Sequence, residues 1–347
     1  MLKFGILGAG TWGTALGNML ANMGYEVSIW SPVEEEINSL SKNYTHIHLK
    51  GCEINKSITF TLDIEKCLKS SDFIIFATPS VFVRSTANKI KPFVNNKQII
   101  ISVAKGVEPK TMMTMCEIIK DVLGQDFKAV ALSGPTHAEE VAIGLPTLIV
   151  SACEDKETAE YVRNTINNQV LRVYSNTDIK GVEIAGALKN IIALACGMSE
   201  GLGFGDNAKA AIITRGLSEI TRLGTAMGCD PNTFFGLTGI GDIVVTATSN
   251  FSRNHNAGVL LGQGKTVEEI KKGLRLGKGV SLEETLKQIG MVVEGINALI
   301  AAKELSNKYD VEMPIVNTVY SAVYEGVDIK EAVKQLFARS LKEEKVC

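Results

Sequence analysis

The segment "LKFGILGAGTWGTALGNMLANMGYEVSIW" (2–30) constrains the fold more than any other stretch. "KFGIL" is a short β-rich run, and "GAGTWG" (8–13) follows it with the pattern G-x-G-x-x-G. A helix-compatible run comes next, then a second β-rich run, "EVSIW". In this setting Gly8 suits a tight turn, Gly10 lets backbone approach a bound group, and Gly13 lets the helix pack closely on the strand. The head of that helix presents N–H groups suited to a phosphate. Alone the glycine pattern is weak; between a strand and a helix it reads as a dinucleotide cradle. "GFGDNA" (203–208) is a control within the same chain. It has the G-x-G-x-x-A variant but follows a helical run, so it is not read as a cradle.

The first half continues the alternation. "FIIFAT", "QIIIS", "AVALS" and "TLIVSA" are further β-rich runs, and "VLRVYSN" (170–176) reads as the last. Such spacing predicts βαβ units on a parallel sheet buried on both faces. After about residue 180 helical patterns take over, at 182–200, 206–227, 295–307, 313–324 and 328–337. "TVEE" (266–269), "SLEE" (281–284) and "DIKE" (328–331) have the spacing of helix-start capping boxes. The 347 residues are long for one core. The expected architecture is therefore α/β: a Rossmann-type parallel-sheet domain at 1–180, then an all-helical substrate domain at 181–347. "LGQGKTVEE" (261–269) is echoed by "LGKGVSLEE" (276–284), identical at five of nine positions. A single echo reads as a local duplication, not a solenoid.

Composition excludes several function classes. The formal net charge is -2, which gives no reason to expect nucleic acid or an anionic membrane as partner. No apolar run reaches the ~20 residues of a membrane span, and the N-terminal apolar run is broken at once by glycines. A cytoplasmic protein is expected. The seven cysteines are odd in number and form no C-x-x-C, which argues against a disulfide framework and a structural zinc site. No metal site is expected. "THIHLKG" places His46 and His48 two apart, but without a third ligand motif this reads as a loop near the cofactor.

Cofactor choice stays open at this point. An acid at the end of the second strand favours NAD, and an arginine there favours NADP. This chain has Trp30, Ser31, Pro32 and Val33, and the nearby Glu34 also suits the start of a helix. The expectation is NAD or NADP.

Four more motifs follow in order: "VAKGVE" (103–108), "SGPTHAEE" (133–140), "GALKNIIALACG" (186–197) and "GIGDIVVTATSNFSRN" (239–254). With "GAGTWG", "VVEG" (292–295) and "EMPI" (312–315), this series resembles the bacterial-type NAD(P)-dependent glycerol-3-phosphate dehydrogenases nearly end to end. The resemblance implies reduction of dihydroxyacetone phosphate to sn-glycerol 3-phosphate, the precursor of phospholipid backbones. It implies that Lys189 is the catalytic proton donor and acceptor. Lys105, Gly134, Thr136, Asp242, Ser252, Arg253 and Asn254 would surround the substrate with Lys189. Gly8, Gly10, Thr11, Trp12, Gly13, Lys105, Ala138, Arg253, Val292 and Glu294 would lie near the cofactor. A homodimer is implied too, and His137 is given no catalytic role. Two departures stand out. The echo is extra relative to the family pattern, and Pro32 stands where the family often has a basic residue.

The residue types suit ketone reduction. The cofactor brings the hydride; the protein must bring a proton. Lys189 shares a helix face with Ala185, Gly186, Ile192, Ala193 and Cys196, all small or apolar. Read in isolation it is a snorkelling lysine. Burial and nearby cations, such as Lys105 or Arg253, lower a lysine pKa, while Asp242 acts the other way. Arg253 offers a planar fork for phosphate oxygens, and Asn254 offers an amide donor. Backbone N–H groups join them if a helix starts there. Asp242 suits a helix N-cap, a site residue, or both. Thr246 either back-bonds within its helix or holds a substrate oxygen.

Overall fold

A computed structural model of the chain describes residues 1–267, 269, 293–341 and 343. Val292 and the second copy of the echo, 276–284, lie outside the described residues. The chain divides into two compact units. The first is Met1–Lys105 with Met113–Glu183; the second is Gly106–Met112 with the chain from Ile184 onward. The expected division at 180/181 differs in two respects. The break falls within one continuous helix, where composition gives no marker. Residues 106–112 also join the second unit, because Val107 is buried in its apolar cluster and Lys110 N donates to Glu304 at 3.1 Å.

In the first unit the elements are β1 (Lys3–Leu7), α1 (Thr11–Asn22), β2 (Glu26–Trp30), α2 (Glu34–Asn43), β3 (Thr59–Thr61), α3 (Ile64–Leu68), β4 (Phe73–Phe76), α4 (Val83–Ile90), β5 (Ile99–Ser102), α5 (Met115–Leu123), β6 (Lys128–Ser133), α6 (Ala138–Ala142), β7 (Thr147–Ala152), α7 (Lys156–Ile166) and β8 (Leu171–Asn176). They form one sheet of order β3-β2-β1-β4-β5-β6-β7-β8. The central runs "FIIF" and "IIIS" are buried throughout, as strands covered on both faces must be. β3, "TFT", was not expected: three residues of mixed polarity carry no periodicity to read.

The sheet is mostly parallel, as expected, with one exception. β7 runs antiparallel to β6. β7 starts beyond the end of β6 and runs back beside it, from Val150 opposite Ser133 to Ala152 opposite Ala131. The 11-residue α7 then makes the return across the sheet, and β8 is parallel to β7.

The second unit contains the helices α8 (Ile179–Gly201, whose first turn belongs to the first unit), α9 (Asp206–Ala226), α10 (Pro231–Phe234), α11 (Asp242–Thr248), α12 (Arg253–Gly262), α13 (Glu294–Lys308), α14 (Pro314–Tyr324) and α15 (Ile329–Phe337). The expected capping box at 266–269 is present: Thr266 N donates to Glu269, and Glu269 N to Thr266 Oγ1. α8 corrects another expectation. By length and composition it could cross a membrane, yet its apolar window is wholly buried in protein. Its apolarity reflects a core position. α8 packs on α12 at backbone distance: a Cβ added to Gly197 would stand 2.0 Å from His255 O, and one added to Gly258 would stand 2.1 Å from Leu194 O. Only glycine fits at this contact, so the "G" that closes "GALKNIIALACG" fixes α12 against the helix that carries Lys189.

Two buried glutamates cap helix starts. Glu219 accepts from Ile315 N (2.7 Å) and Val316 N (3.2 Å) at the head of α14. Glu183 accepts from Cys116 N (2.9 Å) and from Thr114 Oγ1 (2.6 Å) at the head of α5. Burial raises each pKa from 4.5 to about 7, against the opposing pull of those hydrogen bonds. A carboxyl with a raised folded pKa binds its proton more tightly when folded. Its contribution is therefore complete below the unfolded pKa and is lost as pH rises through the folded one. Each group accounts for about 3 kcal/mol of that pH dependence. The melting temperature should fall between about pH 5 and about pH 8, and Glu219→Gln should flatten that slope. Melting curves at several pH values check this; an unchanged slope in the variant would contradict the account.

Candidate active site

The predicted site residues gather in two groups, one on each unit. In the first unit, the turn after β1 is built as the glycine pattern requires. Gly8 has φ +124°, and its N donates to Trp30 O at 2.8 Å, which ties the turn to the end of β2. A Cβ on Gly13 would stand 2.1 Å from Gly8 O. At Gly10 an added Cβ would meet nothing within 4 Å among the described residues. Gly10 is the N-cap of α1, without a side-chain cap, and no acidic residue occupies the first turn. The room at Gly10 and the uncapped head of α1 suit a phosphate.

The carboxyl edge of the sheet carries a row of buried hydroxyls. Thr11 Oγ1, Thr78 Oγ1, Ser102 Oγ and Ser133 Oγ have no hydrogen-bond partner among the described residues. Thr11 opens α1 after the glycine turn, Thr78 lies just past β4, and Ser102 and Ser133 end β5 and β6. An unsatisfied buried polar group costs about 1–3 kcal/mol, so four along one edge fit a site completed by a polar ligand. Thr11 is among the residues expected from the sequence and the other three are not; their only signal is a hydroxyl residue at or just past each strand end. Trp12 and Ala138 pack together against Ala15, Leu49 and Cys52. The loop with His46 lies against the glycine turn. The His46 pKa is lowered to about 4 by burial and by His48, opposed by a hydrogen bond to the Ala9 backbone. Beyond β5 and β6, Lys105 Nζ donates to Gly134 O (3.0 Å), and Thr136 Oγ1 donates to the same carbonyl (3.2 Å). Lys105, Gly134 and Thr136 are thus one cluster.

In the second unit Lys189 does not snorkel. Its side chain is 9% exposed and its Nζ pairs with Asp242 Oδ1. Nζ also donates to Thr246 Oγ1 at 2.6 Å, and that hydroxyl donates to Asp242 O at 2.6 Å. Thr246 therefore does back-bond, and it holds the lysine as well. Asp242 is not an N-cap. Gly241 takes that position, at the end of a π-helical turn (Leu237–Gly241), and Asp242 is the first residue of α11. The π turn delivers the carboxylate inward, where it is 1% exposed.

A helix does start at "SRN". Ser252 is the N-cap of α12, its Oγ accepting from His255 N at 3.2 Å. Arg253 is the first helical residue and is exposed. Asn254 is spoken for on both sides: Oδ1 accepts from Gly295 N (2.8 Å), and Nδ2 donates to Asn190 Oδ1 (3.0 Å). It acts first as a link between α8, α12 and α13. Glu294 begins α13, next to Gly295. Asn190, beside Lys189, was not anticipated; the pair "KN" was its only sign. A cavity of about 1440 Å³ elsewhere in this unit is lined by residues such as Phe204, Arg215, Glu219 and Phe337, with neither Lys189 nor Asp242 among them. Hydrogen bonding, not volume, marks the chemistry.

Comparison with known proteins follows the same two-part division. The model of the NAD-dependent glycerol-3-phosphate dehydrogenase N-terminus matches residues 3–159. The corresponding C-terminus model matches 178–275 and 271–334. The chain belongs to the NAD-dependent glycerol-3-phosphate dehydrogenase family. Glycerol-3-phosphate dehydrogenase (NAD(P)+) 2 of Lactobacillus delbrueckii subsp. bulgaricus is 51% identical over 349 residues, 99% of each chain. Glycerol-3-phosphate dehydrogenase (NAD(P)+) of Agathobacter rectalis is 48% identical, over 99% of this chain and 97% of its own. The crystal structure of glycerol-3-phosphate dehydrogenase from Coxiella burnetii superposes with a TM-score of 0.87 at 33% identity, covering 97% of this chain and 99% of that one. The family's N-terminal model covers the glycine turn and the hydroxyl row, and its C-terminal model covers Lys189, Asp242 and Arg253. The two stretches matched by the C-terminal model overlap at 271–275, between the copies of the echo.

Proposed function

We infer that this protein interconverts dihydroxyacetone phosphate and sn-glycerol 3-phosphate with NAD(P)H. The observation that carries this reading is the buried Lys189–Asp242–Thr246 cluster in a chain matched by both halves of the dehydrogenase family. Most cofactor contacts fall to the first unit, and the proton donor and the phosphate site fall to the second. Bound NADH or NADPH supplies the hydride. Lys189 supplies the proton to the carbonyl oxygen. The adjoining Asp242 carboxylate favours the ammonium form, the state that carries this proton. Thr246 and Asp242 together restrict where Nζ can point, so little reorientation is needed at transfer. In the oxidative direction the same nitrogen takes the proton back.

Substrate phosphate is bound at the head of α12. Arg253 gives two parallel donors to its oxygens, and the first N–H groups of the helix add theirs. Ser252 accepts from His255 N, which leaves its own hydroxyl proton for the ligand. Asn254 has a second amide hydrogen to give. Lys105, Gly134 and Thr136 complete the substrate contacts. The cofactor contacts are Gly8, Gly10, Thr11, Trp12, Gly13, Lys105, Ala138, Arg253 and Glu294, with Val292 from outside the described residues.

The product supplies the glycerol phosphate backbone for phospholipid synthesis, in the cytoplasm. The enzyme acts as a homodimer; the exposed Phe204, Phe235 and Phe337 of the second unit are apolar surface that a second copy would cover. Phosphorus NMR of a mixture of protein, reduced nucleotide and dihydroxyacetone phosphate tests the reading. Glycerol 3-phosphate should appear as the dihydroxyacetone phosphate signal declines. An unchanged spectrum would overturn it.

A further inference from the structure

The nucleotide end of the cradle holds an acid that is hidden in the sequence. In this fold the group at the carboxyl end of the second strand meets the adenosine ribose. A carboxylate there accepts from the 2′-hydroxyl, and an arginine there pairs with a 2′-phosphate. The Gly8 N to Trp30 O bond of 2.8 Å places the end of β2 directly beside the glycine turn. The next residues, Ser31, Pro32 and Val33, carry no charge.

The charge arrives from the first turn of α2. Val33 N donates to Ser31 Oγ at 3.2 Å, and Ser31 Oγ donates to Glu36 Oε2 at 2.7 Å. Ser31 is 2% exposed and its own N donates to Thr61 O at 3.4 Å. It is a fixed anchor. Glu36 is thereby folded back from the helix to the end of β2, while the residue stays exposed. Glu34, the acid nearest in sequence, is instead engaged by Asn38 Nδ2 at 3.5 Å along the helix. Glu34 and Glu35 are exposed beside Glu36, and no lysine or arginine occurs from 31 to 41. Lys89 of α4 lies over the Trp30 ring, 5.5 Å from its centroid. Three carboxylates against that cation make a poor setting for a phosphate dianion.

We propose that Glu36, held by Ser31, reads the adenosine ribose and makes NADH the preferred cofactor over NADPH. The proposal rests on the dinucleotide reading of this site given above. Its test is a fluorescence titration of the full chain with NADH and with NADPH, without substrate. NADH should bind at least about tenfold tighter. Glu36→Gln keeps an acceptor for Ser31 but removes the charge, and should cut the preference about tenfold, chiefly by tightening NADPH. Ser31→Ala should lower the preference in the same direction, as loss of the anchor requires. Glu35→Gln, at a residue with no such anchor among the described residues, should move it less. These exposed changes at Glu35 and Glu36 should leave the melting temperature unmoved.

NADPH binding as tightly as NADH, or a preference untouched by Glu36→Gln, would overturn the proposal. Turnover of dihydroxyacetone phosphate, measured on the same protein, separates the two claims. Turnover that favours NADPH sinks the role of Glu36 and leaves the enzymatic reading standing. No turnover with either nucleotide sinks the enzymatic reading, while the binding ratio still decides Glu36. Binding of neither nucleotide overturns both.

Discussion

Lys189→Ala should lower kcat for dihydroxyacetone phosphate reduction by about 10²–10⁴, the usual weight of a general acid. The affinity for reduced nucleotide should be unchanged, since the nucleotide cradle and Lys189 belong to different units. The variant has a structural side effect that must be separated from the chemical one. Asp242 is 1% exposed, and removing its partner leaves a buried charge unpaired, which typically costs about 3–5 kcal/mol. Lys189→Met combined with Asp242→Asn removes both charges and keeps the volume. The double variant should recover stability without recovering turnover. Steady-state kinetics and melting curves on both proteins decide the point. Near-normal kcat in a well-folded Lys189→Ala protein would remove the lysine from the mechanism.

Arg253→Ala should raise KM for dihydroxyacetone phosphate and lower kcat/KM by about 10²–10³, equivalent to about 3–4 kcal/mol of lost charge-assisted binding. Arg253 is exposed at the first position of α12, so the melting temperature should hold. The sharper readout is discrimination. The parent should use the phosphorylated ketone far better than dihydroxyacetone, and the variant should narrow that gap. If the parent uses both equally, the head of α12 is not the phosphate site.

Much of the framework was legible because burial leaves a trace in composition. Short runs such as "FIIF" and "IIIS", apolar and rich in β-branched residues, favour covered strands, and "GAGTWG" between a strand and a helix has few other uses. The direction of β7 was not legible, because the buried run "TLIVSA" reads the same beside a parallel or an antiparallel neighbour. β3 was too short to show a period. At the site, the apolar face around Lys189 was visible, but its pairing with Asp242 joins residues 53 apart. It depends on a π turn that no periodicity announces. Thr78, Ser102 and Ser133 are ordinary strand-end residues in sequence; only their unsatisfied burial sets them apart. Glu36 was obscured by its neighbours, since three consecutive glutamates look alike until one is seen on Ser31. The resemblance to a known family supplied the roles, and the fold supplied the partners.

The most direct measurement is the absorbance of the reduced nicotinamide when dihydroxyacetone phosphate is added to the purified full-length chain with NADH or NADPH. The account predicts a loss of absorbance that needs both protein and phosphorylated ketone, and that is reversed when sn-glycerol 3-phosphate and oxidised nucleotide are supplied instead. Steady absorbance with both nucleotides, or an equal loss with dihydroxyacetone, would contradict it.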